Sequence, residues 1–198
     1  RPGQAALKRG FDLGVASAGL VLTFWLIGVA WAVASLDTRS NGFFRQERVG
    51  RNGRLFTVVK LKTMRPDRNE STTITQSGDA RITALGGVFR KTKLDELPQL
   101  WNVLVGDMSF VGPRPDVPGY ADRLEGQDRL LLSVRPGITG PATLAYRDEE
   151  EILANQDDPQ RYNDEVIFPD KVRINLDYIR NWRFRDDLHY IWRTVKGG

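Results

Sequence analysis

The chain has 198 residues, no cysteine and a single histidine, with 29 lysines and arginines against 25 aspartates and glutamates. The missing thiols exclude disulfides and cysteine nucleophiles, and one histidine, His189, leaves Ser-His-Asp and His-rich metal schemes little to build on, so carboxylates, lysines and arginines must carry any catalysis. A net charge of +4 favours anionic partners such as phosphates, nucleotides or acidic lipid headgroups, and the length suits one domain or one domain plus an anchor.

From Leu13 the chain carries no charge until Asp37, a run of 24 residues rich in Leu, Val, Trp and Ala. As a helix this run covers about 35 Å, enough to cross a hydrocarbon core. Residues 1–38 are therefore expected to be a membrane-inserted segment and 39–198 a domain at the membrane face; the competing reading is a buried soluble helix. The run is too long for a secretory signal, lacks a clear cleavage site and is followed at once by a strand-like segment. Arg39, Arg45, Arg48, Arg51 and Arg54 follow it, and Arg1, Lys8 and Arg9 precede it. The larger cluster predicts a cytoplasmic domain. Basic residues on both sides also suit a re-entrant helix that dips in and returns, keeping Asp12 near the headgroups, where a charge costs less.

In FFRQERVGRNGRLFTVVKLKTM, Asn52-Gly53 is a strong hairpin signal, because both central residues of such a turn need positive φ. Strands are expected near Phe43 to Val49 and Leu55 to Thr63. Lys60 and Lys62, two apart, project from one face of the second strand, either as solvated edge lysines or as a clamp for an anion. Arg65 to Gly78 reads as a long polar loop, a surface loop or a lid. DARITALGGVFRK gives a short helical or turn element carrying Arg90, five residues before Asp95.

Leu97, Leu100, Trp101 and Leu104 then follow helical spacing. Pro98 is tolerated only in a first turn, so the helix is expected to begin at Asp95 or Glu96. Its unpaired amides and dipole would favour ionised carboxylates and attract phosphate; a plain Thr92-x-x-Asp95 capping box is the structural alternative. Pro113 and Pro115 stiffen the backbone on either side of Arg114, and Arg135 precedes a Pro136-Gly137 turn. RDEEEILANQDDPQ reads as an exposed helix closed by Pro159, its acidic run as solvated surface. Apolar stripes follow at Val172, Leu176 and Ile179, then at Leu188, Ile191, Trp192 and Val195. Trp182, Arg183, Arg185, Arg193 and Lys196 around them suit an amphipathic helix at a membrane interface.

These segments, RGFDL with its apolar run (9–36), the hairpin (43–64), DARIT (79–83), RKTKLDELPQLWNVLVGDMSFVGPRP (90–115), VRPGITG (134–140) and EVIFPDKVRINLDYI (165–179), resemble the bacterial sugar transferases, the monotopic phosphoglycosyl transferases, across nearly the whole chain. The resemblance implies an α/β fold: a compact domain with a β-hairpin and small sheet surrounded by helices, an inserted, re-entrant N-terminal helix and interfacial C-terminal helices. It implies transfer of a phosphosugar from a nucleotide sugar, with UDP as the expected nucleotide, to a polyprenol phosphate at the cytoplasmic face of the bacterial inner membrane. This would be the first membrane step of glycoconjugate assembly. By the same resemblance Asp95 is the nucleophile, Glu96 supports it, and magnesium is the cofactor, assigned to Asp95 and Glu96. The Pro113-Arg114-Pro115 turn goes with the nucleotide and phosphates, Lys62 and Arg90 with the diphosphate, and Lys60 and Arg135 are added on geometry. Membrane lipid is an expected partner, nucleic acid is not, and a homo-oligomer is left open.

The chain departs from the family at its anchor. The family breaks its helix at a Ser-Pro pair, whereas Phe24-Trp25 stands here with no proline between Pro2 and Pro66. The Thr23 hydroxyl bonding back to the Gly19 carbonyl is the expected source of a bend. The reading from another class is a catalytically silent, membrane-anchored basic module that binds anionic lipid or nucleotide.

Overall fold

The computed structural model of the chain describes residues 2–65 and 79–197. The loop expected at Arg65 to Gly78 lies, apart from Arg65, outside the described residues. Helix α1 (Pro2–Thr38) leads into an antiparallel hairpin of β1 (Phe43–Val49) and β2 (Leu55–Leu61), in register from Phe43 opposite Leu61 to Val49 opposite Leu55. Asn52 and Gly53 have φ of 59° and 75°, as the hairpin signal requires. The second strand ends at Leu61, two residues before the expected Thr63.

Helix α2 (Ala84–Thr92) starts on the Thr83 hydroxyl, which accepts from the Gly86 amide at 2.9 Å, and stops at Lys93, whose φ is 59°. A single tight turn, Leu94–Glu96, follows before α3 (Gln99–Val105). Asp95 and Glu96 thus precede the helix rather than begin it, because Lys93 turns the chain out of α2 and Pro98 starts the next ladder. Thr92 is the last residue of α2, where its hydroxyl donates to the Val88 and Phe89 carbonyls, and no side chain caps the Leu94–Glu96 turn or α3, so the Thr92–Asp95 box does not form.

Strand β3 (Ser109–Val111) pairs in parallel with β4 (Gly137–Thr139), where the sequence suggested only a turn. The approach is close: a Cβ on Gly137 would sit 2.2 Å from the Gly112 nitrogen, so any side chain there would force the pair apart. The C-terminal third supplies α4 (Pro141–Ala145), α5 (Glu149–Ala154), α6 (Pro159–Tyr162), α7 (Phe168–Asn181) and α8 (Phe184–Lys196). Pro159 opens α6, in the first-turn position that tolerates proline, instead of closing the preceding helix.

Helix α1 belongs to the core. Ala16 packs with Val58, Val103 and Met108, while Ala30 and Ala34 pack with Leu61 and Phe89. At its N-terminal end Lys8 donates to the Val111 carbonyl at 2.8 Å and to Asp187 at 2.6 Å, and Arg9 caps the last carbonyls of α3 at Val103 and Leu104. The buried Asp12 accepts from the Phe110 amide at 3.2 Å. Both ends of the helix are therefore held by one body. Its other face is bare and apolar, with Val21, Leu22, Phe24, Trp25, Val29 and Leu36 exposed, and its length and composition suffice to cross a membrane. The Thr23 hydroxyl does donate to the Gly19 carbonyl, at 2.7 Å, within an unbroken helix. On α7, Val172 and Leu176 are core, whereas on α8 Leu188, Trp192 and Val195 face outward.

Candidate active site

Lys60 lies two residues beyond the buried Val58 on the same face of β2, which turns its side chain inward. The strand is fixed to α3 by the buried Asn102, which accepts from the Val59 amide at 3.2 Å and donates to the Thr57 carbonyl at 2.8 Å. These bonds set Lys60 against the Leu94–Glu96 turn. Lys60 and Arg114 converge on one oxygen, Oε1 of Glu96, at 3.1 and 2.7 Å. The turn carrying Arg114 is pinned from both prolines: the Pro113 carbonyl accepts from the Gly137 amide at 2.8 Å and the Pro115 carbonyl from Arg48 at 3.0 Å.

The two carboxylates are held differently. Burial raises the Glu96 carboxyl, but the Arg114 guanidinium and the Lys60 ammonium more than offset this and hold it well below its usual range. Asp95, beside it, is pushed up by burial and by the Glu96 charge, with Lys60, Lys93 and Arg90 opposing. Its Oδ1 is buried without a hydrogen-bond partner. Burial, with Arg114 adding to it, brings Lys60 down to about 8, and Glu96 raises Arg114. The arrangement is a fixed anion clamped by two cations next to a carboxylate that has an open acceptor.

The other sequence candidates are distributed. Arg90 is close enough to lower the Asp95 carboxyl, yet its guanidinium pairs with Glu150 on α5. Lys62 lies just past the end of β2 and donates to the Ser40 hydroxyl at 2.9 Å, so it does not join Lys60 on Glu96. Arg135 donates to the Gly106 carbonyl at 2.8 Å at the C-terminal end of α3, near Arg9 and Asp12, and is not part of the Glu96 cluster.

Sequence reasoning missed the wall beyond Arg114. A pocket of about 230 Å³ opens there, lined among others by Arg48, Asp116, Glu149 and Lys171. Lys171 donates to Glu149 at 2.5 Å. Burial pushes the Asp116 carboxyl up to about 6 against Lys171 and Arg48, and burial with Arg114 brings Arg48 down to about 10. A second hollow, of about 500 Å³, shares Tyr120 and Phe168 with this pocket and holds none of the Asp95 cluster. Among the described residues no three His, Cys, Asp or Glu side chains gather as a metal cluster.

The sequence matches the bacterial sugar transferase family over residues 3–197. It is 30% identical to the exopolysaccharide production protein ExoY of Rhizobium meliloti, over 98% of this chain and 86% of that protein. It is 31% identical to the UDP-N-acetylgalactosamine-undecaprenyl-phosphate N-acetylgalactosaminephosphotransferase of Aeromonas hydrophila, over 98% of this chain and 44% of that one. It is 35% identical to the undecaprenyl-phosphate glucose phosphotransferase of Komagataeibacter xylinus, over 96% of this chain and 35% of that one.

Proposed function

The chain belongs to the bacterial sugar transferase family and is a phosphoglycosyl transferase, and from that premise we propose that it moves a sugar 1-phosphate from a UDP-sugar to a polyprenol phosphate through a covalent intermediate on Asp95. The observation that carries this reading is the Asp95 carboxylate, with a buried and unpartnered Oδ1, beside Glu96 clamped by Lys60 and Arg114.

In the first step Asp95 attacks the β-phosphorus of the donor. The bond from that phosphorus to the bridging oxygen breaks, and uridine monophosphate leaves with both electrons of that bond. Lys60 and Arg114 would neutralise the charge of the diphosphate. Glu96 keeps these two cations together and aimed. In the second step an oxygen of the polyprenol phosphate attacks the same phosphorus, the acyl phosphate bond breaks, and Asp95 is released as a carboxylate with the sugar diphosphate on the lipid. The orphaned Asp95 Oδ1 fits a divalent cation. Magnesium held by Asp95 and Glu96 would lower the charge on the phosphates.

The enzyme acts, in this reading, at the cytoplasmic face of the bacterial inner membrane, where nucleotide sugars are made, as the first membrane step of glycoconjugate assembly. The bare apolar face of α1 supports insertion. That Lys8, Arg9 and Asp12 at one end and Ala30 and Ala34 near the other pack on one body supports a re-entrant path with both ends on the same side.

The test is nucleotide release. With magnesium, polyprenol phosphate and a panel of UDP-sugars, uridine monophosphate should appear. Release of the diphosphate instead identifies attack at the anomeric carbon, and no release across a broad panel supports a silent anchored module.

A further inference from the structure

The pocket of about 230 Å³ beside Arg114 has no role in the steps above. Its wall carries both hydrogen-bond donors and acceptors: Arg48 and Lys171 are cationic donors, Asp116 and Glu149 are anionic acceptors, and Asn163 and Tyr120 can do both. We infer that this pocket is the subsite for the sugar ring of the donor, with Asp116 and Asn163 reading its hydroxyl groups. The assignment rests on the transferase reading and deepens it.

Several features select a sugar ring. A hexose hydroxyl is at once donor and acceptor, and a wall with both kinds of partner satisfies several hydroxyls together. With Arg48, Arg114 and Lys171 set against Asp116, Glu149 and Glu150, the lining carries no net formal charge and suits a neutral group, while Lys60 and Arg114 offer the positive charge that the diphosphate needs. The position also fits. Arg114 is shared, donating to Glu96 on one side and lining the pocket on the other. Arg114 thus joins the pocket to the Asp95–Glu96 pair, and in this reading the pocket takes the sugar carried by the phosphorus that Asp95 attacks, with the nucleoside one phosphate further off. The volume of about 230 Å³ is enough for one hexose ring. The half-buried Asp116 carboxyl, pushed up to about 6 by desolvation, is an acceptor that a hydroxyl donor would satisfy.

The test is calorimetric binding to the full chain in detergent, using UMP and UDP-hexoses that differ at a single hydroxyl, run beside the release assay. Wild type should prefer one hexose over its epimers by about tenfold, the worth of one hydrogen bond. Asp116→Asn and Asn163→Ala should shrink that margin to about twofold and leave UMP affinity unchanged, because UMP has no hexose. Should Asp116→Asn fail to fold, Asn163→Ala carries the comparison. An undiminished margin in the folded variants, an equal loss of UMP affinity, or no binding of any UDP-hexose overturns the subsite. Loss of the margin in a chain that releases no UMP keeps the subsite and overturns the transferase.

Discussion

Arg114 donates to Glu96 Oε1 at 2.7 Å from a turn 18 residues further along the chain, and Lys60 reaches the same oxygen from β2. Glu96 is thus the counter-ion that lets two cations share a half-buried space next to Asp95. Glu96→Gln leaves these cations facing each other. It should cost about 1.5 to 3 kcal/mol, the worth of a charged hydrogen bond, read as a fall in Tm near neutral pH. The folded carboxyl is held below its ordinary 4.5, so its contribution is present above that pH and is lost as pH falls through the folded value. The gap between wild type and variant should therefore close on acidification. A gap that is constant with pH would contradict the ion-pair account.

Asp95 behaves in the opposite sense. Its carboxyl is raised by burial and by Glu96, so its contribution to stability is present below the ordinary 3.8 and lost as pH rises through the folded value. Asp95→Asn should fold, match or exceed wild type in Tm at pH 7, and release no UMP. Turnover within a few-fold of wild type rules out Asp95 as the nucleophile.

Where signals were local, the sequence could be read closely. Asn52-Gly53 specifies its hairpin through two positive φ values, and the spacing of Leu97, Leu100 and Leu104 finds α3. The parallel pairing of β3 with β4 was hidden because three-residue strands 28 residues apart (Ser109 with Gly137) leave no periodicity. The acidic run at Glu149 resembles any solvated helix start. What changes its meaning is Lys171 on α7, 22 residues away, and no local pattern encodes that approach. Arg48 likewise reads as part of a topogenic basic cluster until the Pro115 carbonyl claims it.

Asp187 is 2% exposed and accepts from Lys8, Tyr178 and Trp182 at 2.6, 2.6 and 3.0 Å. It ties the start of α1 to α8. Lys8→Met strands the carboxylate in a dry site and should cost about 3 to 5 kcal/mol. Adding Asp187→Asn, which removes the charge and keeps an acceptor, should recover most of that in thermal unfolding. A double variant no more stable than the single one would show that the charge is not what matters.

Helix α8 offers Leu188, Trp192 and Val195 to the outside, with Lys196 4.6 Å from the Trp192 ring. Such a face is suited to the headgroup boundary. A polarity-sensitive dye on Val195→Cys, the sole thiol of that variant, should shift to the blue on anionic vesicles and resist an aqueous quencher. The same dye on Arg129→Cys should do neither. Equal quenching at both positions would place α8 in water.

The path of α1 can be decided in the same cysteine-free background. A full span would put Lys8 and Arg9 outside, against the positive-inside bias, and would pull apart contacts that join this end to the domain: Lys8 to Asp187, Arg9 to the α3 carbonyls and Asp12 to the Phe110 amide. Each broken contact strands a buried or half-buried charge, at several kcal/mol where no partner replaces it. The re-entrant path keeps all three. Against it stand the length of the helix and its unbroken ladder through Thr23 and Trp25. Ala5→Cys, exposed at the N-terminal end, and Ser133→Cys, exposed on the domain, should both escape an impermeant reagent added to intact cells and both react once the cells are opened. Labelling of Ala5→Cys from outside while Ser133→Cys stays protected would mean that the helix crosses the membrane and that the contacts of Lys8 and Arg9 are not those of the inserted protein.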